Sequence, residues 1–128
     1  MFRQTAFIAA IVGLALSGCA ATQPPEPASV ADTAKGKALV DAKGMTLYSF
    51  DKDAAGKSAC NGKCAENWPP LAAMSTAASG EWTVIARDDG AKQWAYRGKP
   101  LYTFIKDTKA GDVVGDGFFN NQWHIARP

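Results

Sequence analysis

The feature that most constrains this chain is an internal repeat. Residues 43–53 read KGMTLYSFDKD, and residues 97–107 read RGKPLYTFIKD. Of the ten positions from Gly44 to Asp53, six recur in the second copy, as Gly98, Leu101, Tyr102, Phe104, Lys106 and Asp107. Ser49 against Thr103 is a near match. Six identities in ten positions make a chance likeness between two hairpins improbable. A supersecondary unit used twice in so short a chain implies two halves, neither able to cover its aromatic face alone. Packed as a pair, they close a shared core.

Within each copy the pattern is that of strands. Leu39-Val40, a turn over Asp41 to Gly44 and a strand from Thr46 to Phe50 make the first hairpin. Gln93 to Tyr96, a turn over Arg97 to Pro100 and a strand from Leu101 to Phe104 make the second. Gly44 and Gly98 permit a positive φ that other residues adopt reluctantly. Side chains alternate with period two, so Tyr48 and Phe50 share one side, as do Tyr102 and Phe104. Leu47 and Leu101 take the other. Between the copies, Glu81 to Arg87 alternates as a strand and Asp88-Asp89-Gly90 is a turn. Cys64 to Asn67 has room for one helical turn.

The copies end on Trp68 and Trp123. The predicted fold is all-β: a small antiparallel sheet, sandwich or barrel-like domain of two similar β-hairpin repeats, at about 38–71 and 92–126. In it, Tyr48, Phe50, Tyr102 and Phe104 are buried with both tryptophans nearby. The two strands that carry them are related by an approximate twofold arrangement.

Cys60 and Cys64, in SACNGKCAENW, read as a disulfide in an exported domain, with Asn61-Gly62-Lys63 supplying the turn. So small a ring contributes roughly 2 kcal/mol through chain entropy. A redox dithiol is more typically C-x-x-C, one residue shorter. A c-type haem site needs a histidine where Ala65 stands. A zinc site lacks clustered ligands, because the only histidine is His124.

The export signal lies at the start. MFRQTAFIAAIVGLALSGC has a cationic start at Arg3, an apolar run from Ala6 to Leu16 and small residues before Cys19, as in a secretory signal peptide. The apolar run is shorter than the roughly 20 residues of a bilayer span. Leu16-Ser17-Gly18-Cys19 resembles the bacterial lipobox. The resemblance implies a diacylglyceryl thioether on Cys19, cleavage before it and acylation of the new amino terminus. Two or three acyl chains, at about 0.8 kcal/mol per buried methylene, anchor durably.

The expected organisation is therefore a signal peptide over 1–18, the lipidated Cys19 with a Pro/Ala/Ser/Thr-rich tether over 19–34, and one β domain over 35–128. Ala20 stands where an Asp often marks inner-membrane retention, so the expected place is the outer membrane if the host is Gram-negative. Without Arg3, 13 of the 14 basic residues face all 12 acidic ones. With no basic stripe, nucleic acid is excluded as an expected partner.

The twice-used pattern G-x-x-L-Y-x-F-x-x-D resembles the bacterial secreted repeat of unknown function, predicted lipoproteins with a Tyr-x-(Phe/Trp/Tyr)-x-x-Asp motif. Tyr48, Phe50 and Asp53 match it in the first copy, and Tyr102, Phe104 and Asp107 in the second. The stretches Gly56 to Cys60, Trp68 to Leu71 and Gly117 to His124 extend the likeness over the folded part. The resemblance implies no established activity.

Asp53 and Asp107 fall where strand gives way to loop, and there they are expected to accept backbone N–H bonds that shape the turn. Metal or ligand binding is the alternative role. An EF-hand reading of Asp51 to Gly62 fails at Ala55 and Gly62, where oxygen ligands are needed. His124, Met45 and Met74 are weak candidates for copper or haem, and Met45 faces Lys99 in the repeat alignment. Trp82, Trp94, Tyr96 and Trp123 are a candidate stacking platform, although so small a domain needs most of them for its core.

No nucleophile–His–acid set stands out. The expectation is a non-enzymatic envelope lipoprotein, a tethered binding or structural module with no cofactor. It partners the membrane through its lipid anchor and an unidentified envelope ligand or protein. The alternative is a metal- or haem-binding redox accessory protein.

Overall fold

The computed structural model describes residues 26–74 and 78–128, with Gly13 alone ahead of them. The lipobox, Cys19 and the tether up to residue 25 lie outside the described residues. The elements run β1 (Ser29–Thr33), β2 (Gly36–Val40), β3 (Tyr48–Phe50), α1 (Lys63–Asn67), β4 (Trp82–Ala86), β5 (Lys92–Tyr96), β6 (Lys99–Pro100), α2 (Phe118–Asn121) and β7 (Trp123–Ile125). Strands pair antiparallel as β1-β2, β3-β7 and β4-β5-β6. Short antiparallel sheets, two repeats and a Cys60–Cys64 disulfide make up the predicted all-β fold. The helical turn starts one residue earlier than expected, at Lys63.

The two repeats meet at their own matching residue. Tyr48 N–H donates to Tyr102 O at 2.7 Å, and Tyr102 N–H donates to Tyr48 O at 2.9 Å. Antiparallel pairing of a residue with its repeat counterpart puts a local twofold axis between the two. The surrounding hydrogen bonds repeat about it. Leu47 N–H donates to Leu39 O at 2.9 Å, and Leu101 N–H to Trp94 O at 3.1 Å. Ala126 N–H donates to Leu47 O at 2.8 Å, and Leu71 N–H to Leu101 O at 2.9 Å. The tail of each repeat thus completes the other one: residues near Leu71 pair with the second copy, and those near Ala126 with the first. Neither half has its full complement of backbone partners alone.

Alternation along the central segments separates two cores. Tyr48, Tyr102, Phe104, Trp68, Trp123 and Ile125 belong to one cluster, with Phe50 partly buried against it. Leu47, Leu101, Leu39, Trp82 and Ala126 form the second, on the opposite side. Gly44 and Gly98 both carry the positive φ expected of them, at 80° and 79°. Arg97, at φ 50°, joins Gly98 in a two-residue turn of the I′ type.

Three expectations need correction. The folded part begins at Ser29 rather than Lys35, because β1 pairs along its whole length with β2. Composition hid this strand: its side chains stay largely exposed, and backbone pairing rather than apolar burial holds it. The strands expected at Thr46 to Phe50 and Leu101 to Phe104 are also shorter. Thr46 makes a single bridge to Val40, while Tyr102 bridges Tyr48 on one side and Pro70 on the other. Each central segment changes partner within a few residues, so no long ladder forms.

Candidate functional site

The motif aromatics assemble into one stack across the twofold. Trp68 and Trp123 lie face to face, with centroids 3.8 Å apart and planes at 2°. Phe50 stacks on the outer face of Trp123 at 4.3 Å, and Phe104 on that of Trp68 at 4.0 Å. The order Phe50–Trp123–Trp68–Phe104 alternates between the repeats, since each phenylalanine covers the tryptophan of the other copy's tail pairing. Gly115 closes against this cluster, where a Cβ would come within 2.7 Å of the Trp68 ring.

The tyrosine and aspartate of the motif also act across the repeats. Tyr48 Oη donates to Asp107 Oδ2 at 2.6 Å, and Tyr102 Oη donates to Asp53 Oδ2 at 2.7 Å. The second oxygen of each carboxylate accepts a backbone N–H, from Val114 at 2.9 Å and from Ala59 at 2.7 Å. The expected turn-shaping role is present, joined by a cross-repeat bond that spacing within one copy does not reveal. The signal was available: a Tyr and an Asp that recur together in both copies invite reciprocal pairing.

Burial pushes both carboxyls above their ordinary value, while the tyrosine hydroxyls and backbone donors pull the other way. Burial, followed by the carboxylate partners, lifts both phenols well above their ordinary range.

The two pairs differ in what stands behind them. Arg87 is buried, and its guanidinium donates to Ser58 Oγ at 2.9 Å, Gln93 Oε1 at 2.8 Å and Cys60 O at 2.6 Å. Ser58 and Tyr102 hydroxyls are 2.6 Å apart. Because the Tyr102 hydrogen goes to Asp53, Ser58 is the donor of that bond. A directed chain therefore runs from Arg87 through Ser58 and Tyr102 to Asp53. On the other side, Gly115 N–H donates to Tyr48 Oη at 3.2 Å and takes the place of Ser58.

Beside the stack lies a groove of about 430 Å3. It is lined by the stacked rings of Phe50, Trp68, Phe104 and Trp123, by Phe118 and Phe119, and by the exposed Lys52 and Lys106. Phe118 and Phe119 are 38% and 63% exposed, unusual for apolar rings in a small domain. The backbone that presents them is strained: Phe119, Asn120 and Asn121 all have φ between 55° and 60°. The cost of a left-handed residue, on the order of 1–2 kcal/mol, falls mainly on Phe119, because asparagine visits this region readily.

A profile described as the secreted repeat of unknown function matches the chain twice, over residues 29–72 and 83–127. The chain belongs to that family. No curated protein and no solved structure matches it. The match begins at the first residue of β1, which agrees with the domain start seen in the fold. Membership in a secreted-repeat family implies an extracellular or envelope protein, and no described helix is long and apolar enough to cross a membrane.

The other candidate residues are dispersed in this member of the secreted-repeat family. His124 lies on β7, with Nε2 2.8 Å from Asp51 Oδ2, and Ser49 stands opposite it in the β3–β7 register. Ser49 and His124 are opposed in the backbone ladder, and no side-chain hydrogen bond joins them among the described residues. Met45 sits in the β2–β3 hairpin and Met74 is 97% exposed. Among the described residues no three His, Cys, Asp or Glu side chains gather as a metal site. Trp82 is buried beside Trp94 and Tyr96, with centroids 6.3 and 4.9 Å away, so these rings build the second core.

The raised Asp107 carboxyl makes a pH prediction. Its folded form holds a proton more tightly than the unfolded chain, whose ordinary value is 3.8. The folded state then takes up the proton first as pH falls, so this group favours folding at low pH and loses that contribution as pH rises through the folded value. The stability of the native chain relative to Asp107→Asn should therefore grow between about pH 7 and about pH 4. Urea denaturation of both proteins at each pH measures it, and a constant difference would contradict the assignment.

Proposed function

We propose that this chain is a lipid-anchored envelope module that binds a small apolar ligand without transforming it. The observation that carries the reading is the groove at the seam of the repeats, whose volume of about 430 Å3 falls within the range of small-molecule sites. Phe119, presented on the strained turn, is 63% exposed and pairs with no other ring among the described residues. Strain of this kind gathers at ligand clamps.

The anchor rests on Leu16-Ser17-Gly18-Cys19, and the family's secreted character supports the same location. A polar tether after Cys19 leaves the groove free to face solvent or a partner in the envelope.

Two measurements test the two parts. Cys19→Ser should release the protein from the membrane fraction or leave an unprocessed precursor. Unchanged lipid labelling and fractionation in that variant would rule the anchor out. The neutral fluorophore N-phenyl-1-naphthylamine should bind the folded chain at one site, with affinity lost in Phe119→Asn. Equal binding by the two proteins would remove the groove from consideration.

A further inference from the structure

The groove is charged as well as apolar. Lys52 and Lys106 are repeat counterparts, each two residues beyond the phenylalanine that caps one end of the stack. Each sits in a tight turn that closes back on its phenylalanine, Asp53 N–H donating to Phe50 O at 3.0 Å and Asp107 N–H to Phe104 O at 3.1 Å, and both line the groove. Both are exposed, and among the described residues neither makes a salt bridge. No Asp or Glu belongs to the lining, where Asn67 is the remaining polar group. Lys106 Nζ stands 5.8 Å from the centroid of Phe118, which sets an ammonium beside that ring. Two cations among aromatic rings, with no acidic neighbour in the lining, complement a ligand that joins an apolar body to a negative charge.

Resting on the binding reading above, we propose that the groove takes a small aromatic anion. Its ring system lies among Phe50, Phe118 and Phe119, and a carboxylate, sulfonate or phosphate is held between Lys52 and Lys106. Rings rather than an acyl chain fit the lining, because aromatic pairs contribute about 0.5–1.5 kcal/mol beyond the area they bury. The lysines add modest energy and select the sign of the charge, since exposed ion pairs are worth at most about 1 kcal/mol.

The full chain carrying Cys19→Ser, which needs no detergent, allows a direct test with paired probes. 1-Anilinonaphthalene-8-sulfonate supplies the anion and N-phenyl-1-naphthylamine is its neutral counterpart. Near-ultraviolet tryptophan dichroism, and a probe-free melting temperature in each lysine or phenylalanine variant equal to that of the parent, show that the folded state is being compared.

The sulfonate should bind more tightly than the neutral probe. Lys52→Gln and Lys106→Gln should each weaken it up to about fivefold, and added salt should weaken it further. The neutral probe should lose less than about twofold in either lysine variant. Phe119→Asn keeps a residue suited to the left-handed turn and should weaken both probes by roughly tenfold. Equal affinities for the two probes, with the sulfonate indifferent to both lysines, would overturn the anion and leave the apolar groove standing. Failure of both probes to bind would overturn the groove with it.

Discussion

Replacing Trp123 with alanine should destabilise the protein by about 3–5 kcal/mol, the range for deleting a large buried aromatic. Small domains have only about 5–15 kcal/mol in total. Trp123 is 2% exposed, stacks on both Trp68 and Phe50, and meets Tyr102 edge-on at 5.1 Å. Its loss opens a cavity at the twofold, where rings of both repeats meet, so both halves should unfold in one transition. Denaturant curves followed by tryptophan fluorescence and by far-ultraviolet dichroism should coincide. Two separated transitions would show that the repeats hold themselves up independently.

The outer rings should be less alike than their matched positions suggest. Phe104 is 3% exposed, whereas Phe50 is only partly buried at the groove. Phe104→Ala should therefore cost more than Phe50→Ala, even though the repeat alone predicts similar losses.

Much of this architecture can be read from sequence because period-two alternation and repetition are local signals. Tyr48 and Leu47 fall into opposite cores as alternation requires, and the matched glycines fall in matched turns. The exchange of tails was not legible. Which copy Ala126 or Leu71 pairs with depends on chain direction in space, and both assignments satisfy the same hydrophobic pattern. Strand β1 escaped notice because backbone bonds, not apolar side chains, hold it. The groove was hidden for a related reason. Phe118 and Phe119 are apolar, and only the left-handed turn at Phe119 to Asn121 leaves them exposed. Lys52 and Lys106, by contrast, were visible as a repeated residue with no core role.

The departure from twofold symmetry carries the second large effect. Arg87→Met should cost about 3–5 kcal/mol, as when one member of a buried charged network is removed. Its guanidinium donates to Ser58 Oγ, Gln93 Oε1 and Cys60 O, all within 2.9 Å. Ser58 Oγ would keep the Cys60 N–H at 3.2 Å, but Gln93 Oε1 and Cys60 O would lose their strong donor at about 1–3 kcal/mol each, so these two account for most of the total. The ion pair with Asp89 adds little, because that carboxylate is 51% exposed. Gln93 also donates to Leu101 O at 2.7 Å, so Arg87 ties the disulfide loop to the central segment of the second repeat. Tyr48 and Asp107 rely on Gly115 and Val114 instead, and have no arginine to lose. Hydrogen exchange of the variant should accordingly quicken at Ala59 and Cys60 while Val114 stays protected up to global unfolding. A loss below about 1 kcal/mol, or equal loosening at Val114, would show that the second repeat does not depend on this buried cation.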